Sequence, residues 1–308
     1  MTELLRNAWK ALLPREHGRG AVITLPMLWL LLFFLVPFLI VLKISFSEAV
    51  MAMPPYAPLY EWTHDRVLAI RLHLANYHFL FTDPLYLDSF LYSLKVAAVS
   101  TVLCLLLGYP MALGITRASP ARRNLLLMLV ILPFWTSFLL RVYAWIGLLK
   151  EDGLINNLLL SLHLLGQPIP MVNTSFAVYV GIVYSYLPFM ILPLYANLEK
   201  HDASLLEAAA DLGAPPWRAF LRVTWPLSLP GVLAGALLVF IPATGEYVIP
   251  SLLGSANQLM IGRVLSDEFF ENRDWPVASA VAILILIVLL GPILLFQRLQ
   301  RPEIEADS

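Results

Sequence analysis

The chain is 308 residues long, 59% hydrophobic and only 13% charged, with a mean hydropathy of +0.77. A soluble domain of this length does not carry so much apolar surface, which leaves an integral membrane protein. The formal net charge of −1 says nothing by itself about partners, because the distribution of charge matters more than its sum.

In chain order, residues 4–13 place Leu4, Leu5, Ala8, Trp9, Leu12 and Leu13 on one helical face, with Arg6 and Lys10 outside it. That pattern predicts an interfacial helix within an N-terminal segment 1–20. Ala21–Leu42 follows as the first span. At about 1.5 Å per residue it crosses a hydrocarbon core of about 30 Å. Ser47-Glu48-Ala49 has the look of a cleavage site, but the apolar run before it exceeds the roughly 7–15 residues of a signal-peptide core, so the span is expected to be retained. Residues 47–88 read as a polar loop containing Pro54, Pro55 and Pro58.

Further spans are expected at Ser89–Thr116, Asn124–Leu149, Thr174–Leu198, Leu227–Ile249 and Val277–Phe296. Six spans put both termini on one side. On that side lie Arg6, Lys10, Arg15, Arg19, Arg117, Arg122, Arg123, Lys200, Arg218, Arg222, Arg298 and Arg301. Only Arg66, Arg71, Lys150, Arg263 and Arg273 fall opposite, so the termini are expected to be cytoplasmic.

Glycine and proline mark the places where spans depart from regular helix. Gly108-Tyr109-Pro110 predicts a kink in the second span. Gly231-x-x-x-Gly235 offers a close-packing surface, either within the subunit or toward a partner. Ile241-Pro242-Ala243-Thr244-Gly245-Glu246 predicts a helix break, which in a membrane needs a covering of protein or water.

Candidate chemistry is sparse. There is no G-x-x-x-x-G-K-[ST] loop to hold a nucleotide and no H-E-x-x-H, and His73 and His78 lie in a loop without metal-ligand spacing. Cys104 is the only cysteine, so no disulfide forms within the chain. Lys43, Lys95 and Arg141 fall near span ends, from which they can snorkel to headgroups.

Glu246 is different: it follows the predicted break, about 30 Å of ideal helix beyond the start of its span. It reads either as a pathway carboxylate or as a buried group paired with Arg141 or a backbone donor. Trp135, Tyr143, Trp145, Tyr184, Tyr186 and Tyr247 form an aromatic set suited to organic ammonium groups, although interfacial belts use the same residues. The outer segment 257–275 carries Asp267, Glu268, Glu271 and Asp274, an acidic surplus beside its two arginines.

The long polar interruption 199–226 stands apart. Ser204 and Glu207 have capping-box spacing, helix formers run to Leu212, and Gly213 supplies a left-handed stop. Pro215-Pro216 then preset a second short helix whose apolar face holds Trp217, Phe220 and Leu221.

Glu207-Ala208-Ala209, then Asp211 and Gly213, then Val223-Thr224-Trp225-Pro226 resembles the EAA signature of permease subunits in binding-protein-dependent ABC importers. Trp225 stands where leucine is usual. Leu132–Trp145, Phe240–Pro250 and Met260–Ala280 resemble corresponding stretches of the spermidine/putrescine permeases, and of putrescine systems most.

The resemblance implies an all-α, type I importer permease: one transmembrane domain over 1–308 in a bacterial inner membrane. It implies a second homologous permease, two ATPase subunits that hold ATP and Mg, and a periplasmic polyamine-binding protein. No cofactor and no nucleic acid are expected on this chain. Coupling to the ATPase falls to Glu207, Ala208, Ala209, Asp211, Gly213 and Arg218, and the route to Glu246, Trp135, Tyr143, Tyr184 and Tyr247. A permease for another solute, or a self-sufficient secondary transporter, remains as an alternative.

Overall fold

The structure, a computed structural model, describes residues 15–62, 68–70 and 72–300. The interfacial helix expected over residues 4–13 lies outside the described residues. In chain order the elements begin with α1 (Arg15–Leu30), a π turn over Leu31–Leu35 and α2 (Val36–Ser45). Two short strands follow, β1 (Tyr60–Trp62) and β2 (Leu68–Ile70), paired antiparallel with Glu61 opposite Ala69. Then come α3 (Ala75–Thr82), α4 (Pro84–Thr116), α5 (Pro120–Ile131), a 3₁₀ turn over Leu132–Trp135, α6 (Phe138–Leu149) and α7 (Leu154–Ser161). The chain continues through α8 (Ser175–Leu198), α9 (Ser204–Asp211), α10 (Pro216–Ala219), a π turn over Phe220–Thr224 and α11 (Trp225–Thr244). It ends with α12 (Val248–Leu253), α13 (Ile261–Phe270) and α14 (Trp275–Gln300).

Five helices among the described residues are long and apolar enough to cross a membrane, and a sixth arises if α5–α7 count as one broken span. That span, expected as continuous helix over Asn124–Leu149, bends by 93° between its halves. Pro133 has no amide hydrogen to donate, the turn tightens to 3₁₀, and Thr136 is extended before α6 begins. Residues 47–88 are more ordered than a polar loop: they hold both strands and α3, and α4 starts at Pro84 rather than Ser89. Asp83 fixes that start, its Oδ1 accepting a 2.8 Å hydrogen bond from the Leu85 amide. The helix then runs through Pro110 without a break.

Two π turns share one cause. Each ends two residues before a proline, Pro37 or Pro226, which cannot donate to the preceding turn. At the second, the helix does not stop. Pro216–Thr244 is a single apolar helix, so the expected separate second helix is the end of the fifth span.

By contacts the chain forms two compact units, one comprising 1–78 with 273–283 and the other 79–272 with 284–308. In the first, buried Asn76 donates to the carbonyls of Ser45 (2.9 Å) and Ser47 (2.8 Å), tying α3 to the end of α2. In the second, α4, α8 and α11 pack on one another. One apolar cluster gathers Val96, Ala97, Val142, Ile182, Ile249 and Leu253, and another gathers Cys104, Ala112, Met190, Leu194, Val232 and Val239.

Gly231 and Gly235 face α8 within the chain. A Cβ on Gly231 would meet Asn197 Cβ at 2.6 Å, and one on Gly235 would meet Met190 Sδ at 2.8 Å and the Met190 carbonyl at 3.1 Å. This close approach to α8 within the chain is itself enough to require small residues. Gly235→Val is therefore expected to destabilise the α8–α11 contact by about 1–3 kcal/mol, the usual penalty of overpacking. A lowered unfolding midpoint in detergent checks it.

Candidate functional site

Two regions hold the charged residues expected from the sequence to carry function. The first is the hairpin around α9. Its start is capped by Asp202, whose Oδ1 accepts from the Ser204 amide at 3.0 Å, while Ser204 is already helical and makes no capping bond. The capping box expected from Ser204 and Glu207 is thus replaced by an Asp cap two residues earlier. Glu207 is exposed, in the first turn, where its charge suits the helix dipole.

At the other end Gly213 takes φ +75. Its amide donates to the Ala210 carbonyl (2.8 Å) and the Ala214 amide to the Ala209 carbonyl (3.0 Å). These two bonds make a complete Schellman stop. Pro215 then caps α10, in which Arg218 lies over the Trp217 ring at 5.1 Å. Leu205, Leu206, Leu212, Trp217 and Leu221 all stand exposed here, Leu212 at 88%. A patch of this kind beside Glu207 and Asp211 marks an interaction surface.

Beneath the hairpin is a cleft of about 240 Å³ lined by Thr116, Arg117, Arg123, Glu199, His201 and Asp202 among others. Arg123 ties it together, pairing with Glu199 at 2.9 Å and donating to the Thr116 carbonyl at 2.9 Å.

The second region surrounds Glu246, which follows the break at Gly245 and is 8% exposed. Its Oε1 accepts from the amides of Val248 (3.0 Å) and Ile249 (3.3 Å), and its Oε2 accepts from the Tyr186 hydroxyl. Of the readings open from sequence, the backbone-paired one describes this conformation, and no Arg141–Glu246 pair forms. The carboxyl caps α12 and satisfies donors that the break would otherwise orphan.

Arg141 does not snorkel freely either. Its Nε and Nη1 are buried without a hydrogen-bond partner, and its guanidinium lies 5.7 Å from the centroids of both Phe134 and Phe138. Tyr184 meets Trp145 edge-on at 5.5 Å. Trp135, Tyr143 and Tyr247 are 75%, 57% and 49% exposed, with no ring contact among the described residues. The structure therefore brings together Glu246, Tyr186, Phe189 and Phe134, and leaves three of the expected pathway aromatics on open faces.

Residues 104–304 match the family of binding-protein-dependent transport system inner membrane components. The chain belongs to this family. It is accordingly a transport permease of several apolar helices, not an enzyme.

Among its relatives, the spermidine/putrescine transport system permease protein PotB of Haemophilus influenzae is 42% identical over 272 residues, 88% of this chain and 90% of that one. PotB of Escherichia coli K12 is 40% identical over 275 residues, covering 89% and 94%. A bacterial ABC transporter involved in import of the acidic polysaccharide alginate shares the permease fold, with TM-score 0.69 at 18% identity over 96% of this chain and all of that one.

Sequence reasoning missed Asp202 as the cap, whose signal was an N-cap residue ahead of a run of helix formers. It placed Tyr186 in the aromatic set but missed the pairing of Tyr186 with Glu246, which spans two helices and leaves no local trace.

Two outcomes check this geometry. Glu246→Leu removes the acceptor from buried donors, each worth about 1–3 kcal/mol. Amide exchange at residues 248–253 is expected to accelerate by about tenfold or more, with Glu246→Gln closer to wild type. The Ser204 amide holds the Asp202 carboxyl below its ordinary value. A depressed pKa stabilises the folded cap above the unfolded value and loses that contribution as pH falls through the folded one. Order at a spin label on the hairpin should therefore persist at neutral pH and fall only in acid, a step that Asp202→Asn abolishes.

Proposed function

We propose that this permease is one of two homologous membrane subunits of an ATP-driven polyamine importer, with putrescine or a close relative as cargo. The observation that carries this reading is identity of 40–42% over nearly nine-tenths of the chain with permeases named for spermidine and putrescine. An organic cation also suits a region with one carboxyl, Glu246, and an aromatic surround. The acidic segment beyond α12 supports the same sign of charge. There Glu268 accepts from Tyr86 at 2.7 Å and from Asn272 at 3.0 Å, leaving Glu271 exposed.

In this reading two ATPase subunits, which alone hold ATP and Mg, receive α9 and its apolar face. Glu207, Ala208, Ala209, Asp211, Gly213 and Arg218 shape that contact. A periplasmic polyamine-binding protein delivers cargo to the opposite face. Both termini are cytoplasmic, in keeping with the excess of Lys and Arg on their side. Closure of the ATPases moves the hairpin, and because α10 runs without a stop into α11, the movement passes to the span that ends at Glu246. Trp135, Tyr143, Tyr184 and Tyr247 then line the route or the contact with the second permease.

The solved structure of the alginate transporter bound to its periplasmic protein, TM-score 0.71 at 16% identity, lends the fold an importer precedent. An anionic cargo would instead look to Arg141. Uptake by the complete complex in liposomes separates the two: 1,4-diaminobutane should accumulate with ATP and the binding protein, and a polyanion should not.

Gly213→Val forces a β-branched residue into left-handed backbone at a cost of about 1–3 kcal/mol. It is expected to reduce cargo-stimulated ATP hydrolysis and uptake together, several-fold, with assembly retained. Unchanged rates in both assays would remove the hairpin from the coupling path.

A further inference from the structure

Three aromatic rings line up between Arg141 and Glu246. The Arg141 guanidinium lies over Phe134, the Phe134 ring meets Phe189 edge-on at 5.1 Å, and Phe189 meets Tyr186 at 6.0 Å. Tyr186 donates to the Glu246 carboxyl. One continuous track of rings thus has a cation stacked at one end and a carboxyl at the other. Phe134 and Phe189 each keep 36% exposure, so their faces are within reach of a solute.

The cation is poorly housed. Arg141 Nε and Nη1 are buried without any hydrogen-bond acceptor, an arrangement that penalises a charged donor group. Its guanidinium lies against the two phenylalanine rings. Because those nitrogens are buried within this chain, a partner subunit cannot reach them in this conformation. A purely structural arginine would be expected to spend its donors on carbonyls. This one spends its charge on ring faces.

We propose that Arg141 is a built-in stand-in for the cargo: a tethered cation that occupies the Phe134 and Phe138 faces while the track is empty and is displaced when an organic ammonium group arrives. This rests on the reading of the cargo as an organic cation. The ring faces attract either cation through the same quadrupole, so the two compete. Cargo affinity at the permease is then weakened by whatever Arg141 gains from stacking. The arginine returns to the rings as cargo leaves, which favours release and keeps the vacant track unattractive to stray cations. Arg141 is a specificity-setting residue in this scheme, and two replacements are informative: lysine keeps the charge but gives up the planar guanidinium that stacks on the rings, while glutamine loses both.

The test uses the complete permease–ATPase complex in nanodiscs, without the binding protein, titrated with 1,4-diaminobutane by calorimetry. Arg141→Gln is expected to bind the diamine about three- to tenfold more tightly than wild type, the equivalent of losing one competing cation–π contact. Arg141→Lys, with the charge but not the planar stacking, should fall between wild type and Arg141→Gln. In a Phe134→Leu, Phe138→Leu background the diamine should bind more weakly, and adding Arg141→Gln should then change nothing.

Unchanged or weaker binding by Arg141→Gln, in complexes that elute intact and hydrolyse ATP, overturns the proposal, as does an Arg141→Lys variant that binds the diamine more tightly than Arg141→Gln. Failure of the cargo reading looks different: the wild-type complex with its binding protein would then accumulate no diamine, whatever occupies position 141.

Discussion

Within hydrocarbon no solvent is available to a backbone amide or carbonyl, so each departure from regular helix has to be satisfied by the protein. This chain departs repeatedly, at the two π turns, at Leu132–Thr136 and at Gly245–Tyr247, and how each departure is absorbed decides where function can reside. The π turns absorb Pro37 and Pro226 inside the helix and leave the spans continuous. At Leu132–Thr136 the Thr136 hydroxyl donates to the Pro133 carbonyl at 2.8 Å, and the chain turns sharply. At Gly245 the same requirement recruits an acidic side chain. Glu246 is buried because two amides and a tyrosine hydroxyl need it there.

That arrangement links the helix break to the aromatic track. The carboxyl that caps α12 is held by Tyr186, the first ring of a series that ends beneath Arg141. A group that displaced Tyr186 from Glu246 would act on the cap of α12 as well. In the proposed reading, where Glu246 also meets cargo, local stability at the break and recognition would be in tension at one side chain.

At the hairpin the opposite economy holds. Asp202 and the Schellman bonds of Gly213 and Ala214 satisfy the ends of α9 locally, and Pro216 opens α10 with no amide hydrogen to place. The apolar side chains are consequently left outward, where a partner can cover them. Among the described residues the Arg123–Glu199 pair adds an anchor at the base, joining the start of α5 to the end of α8.

Much of this was legible in the sequence because it is governed by composition and short spacings. Run length located the spans, the Gly213 stop followed from a single residue type, and the break near Glu246 followed from proline and glycine. What escaped depends on distance in the chain. Capping moved from Ser204 to Asp202 because either residue suits an N-cap, and only geometry chooses. Gly231 and Gly235 left their partner open, since small residues advertise close approach without naming the helix that approaches. The proline at position 133 signalled a disturbance but not a 93° bend. Tyr186–Glu246 and Arg141–Phe134 join separate elements and have no signature along the chain.

If the hairpin drives the fifth span as one lever, the chain between them must not flex during the cycle. Spin labels at Leu212 and Leu238, both exposed, report that distance in the assembled transporter by pulsed electron resonance. A rigid lever requires the same distance in the nucleotide-free and vanadate-trapped states. A change approaching one helical turn, about 5.4 Å, would mean that the chain flexes at the Gly213–Pro215 turn or at the π turn over Phe220–Thr224, and that the hairpin's motion is lost before it reaches Glu246.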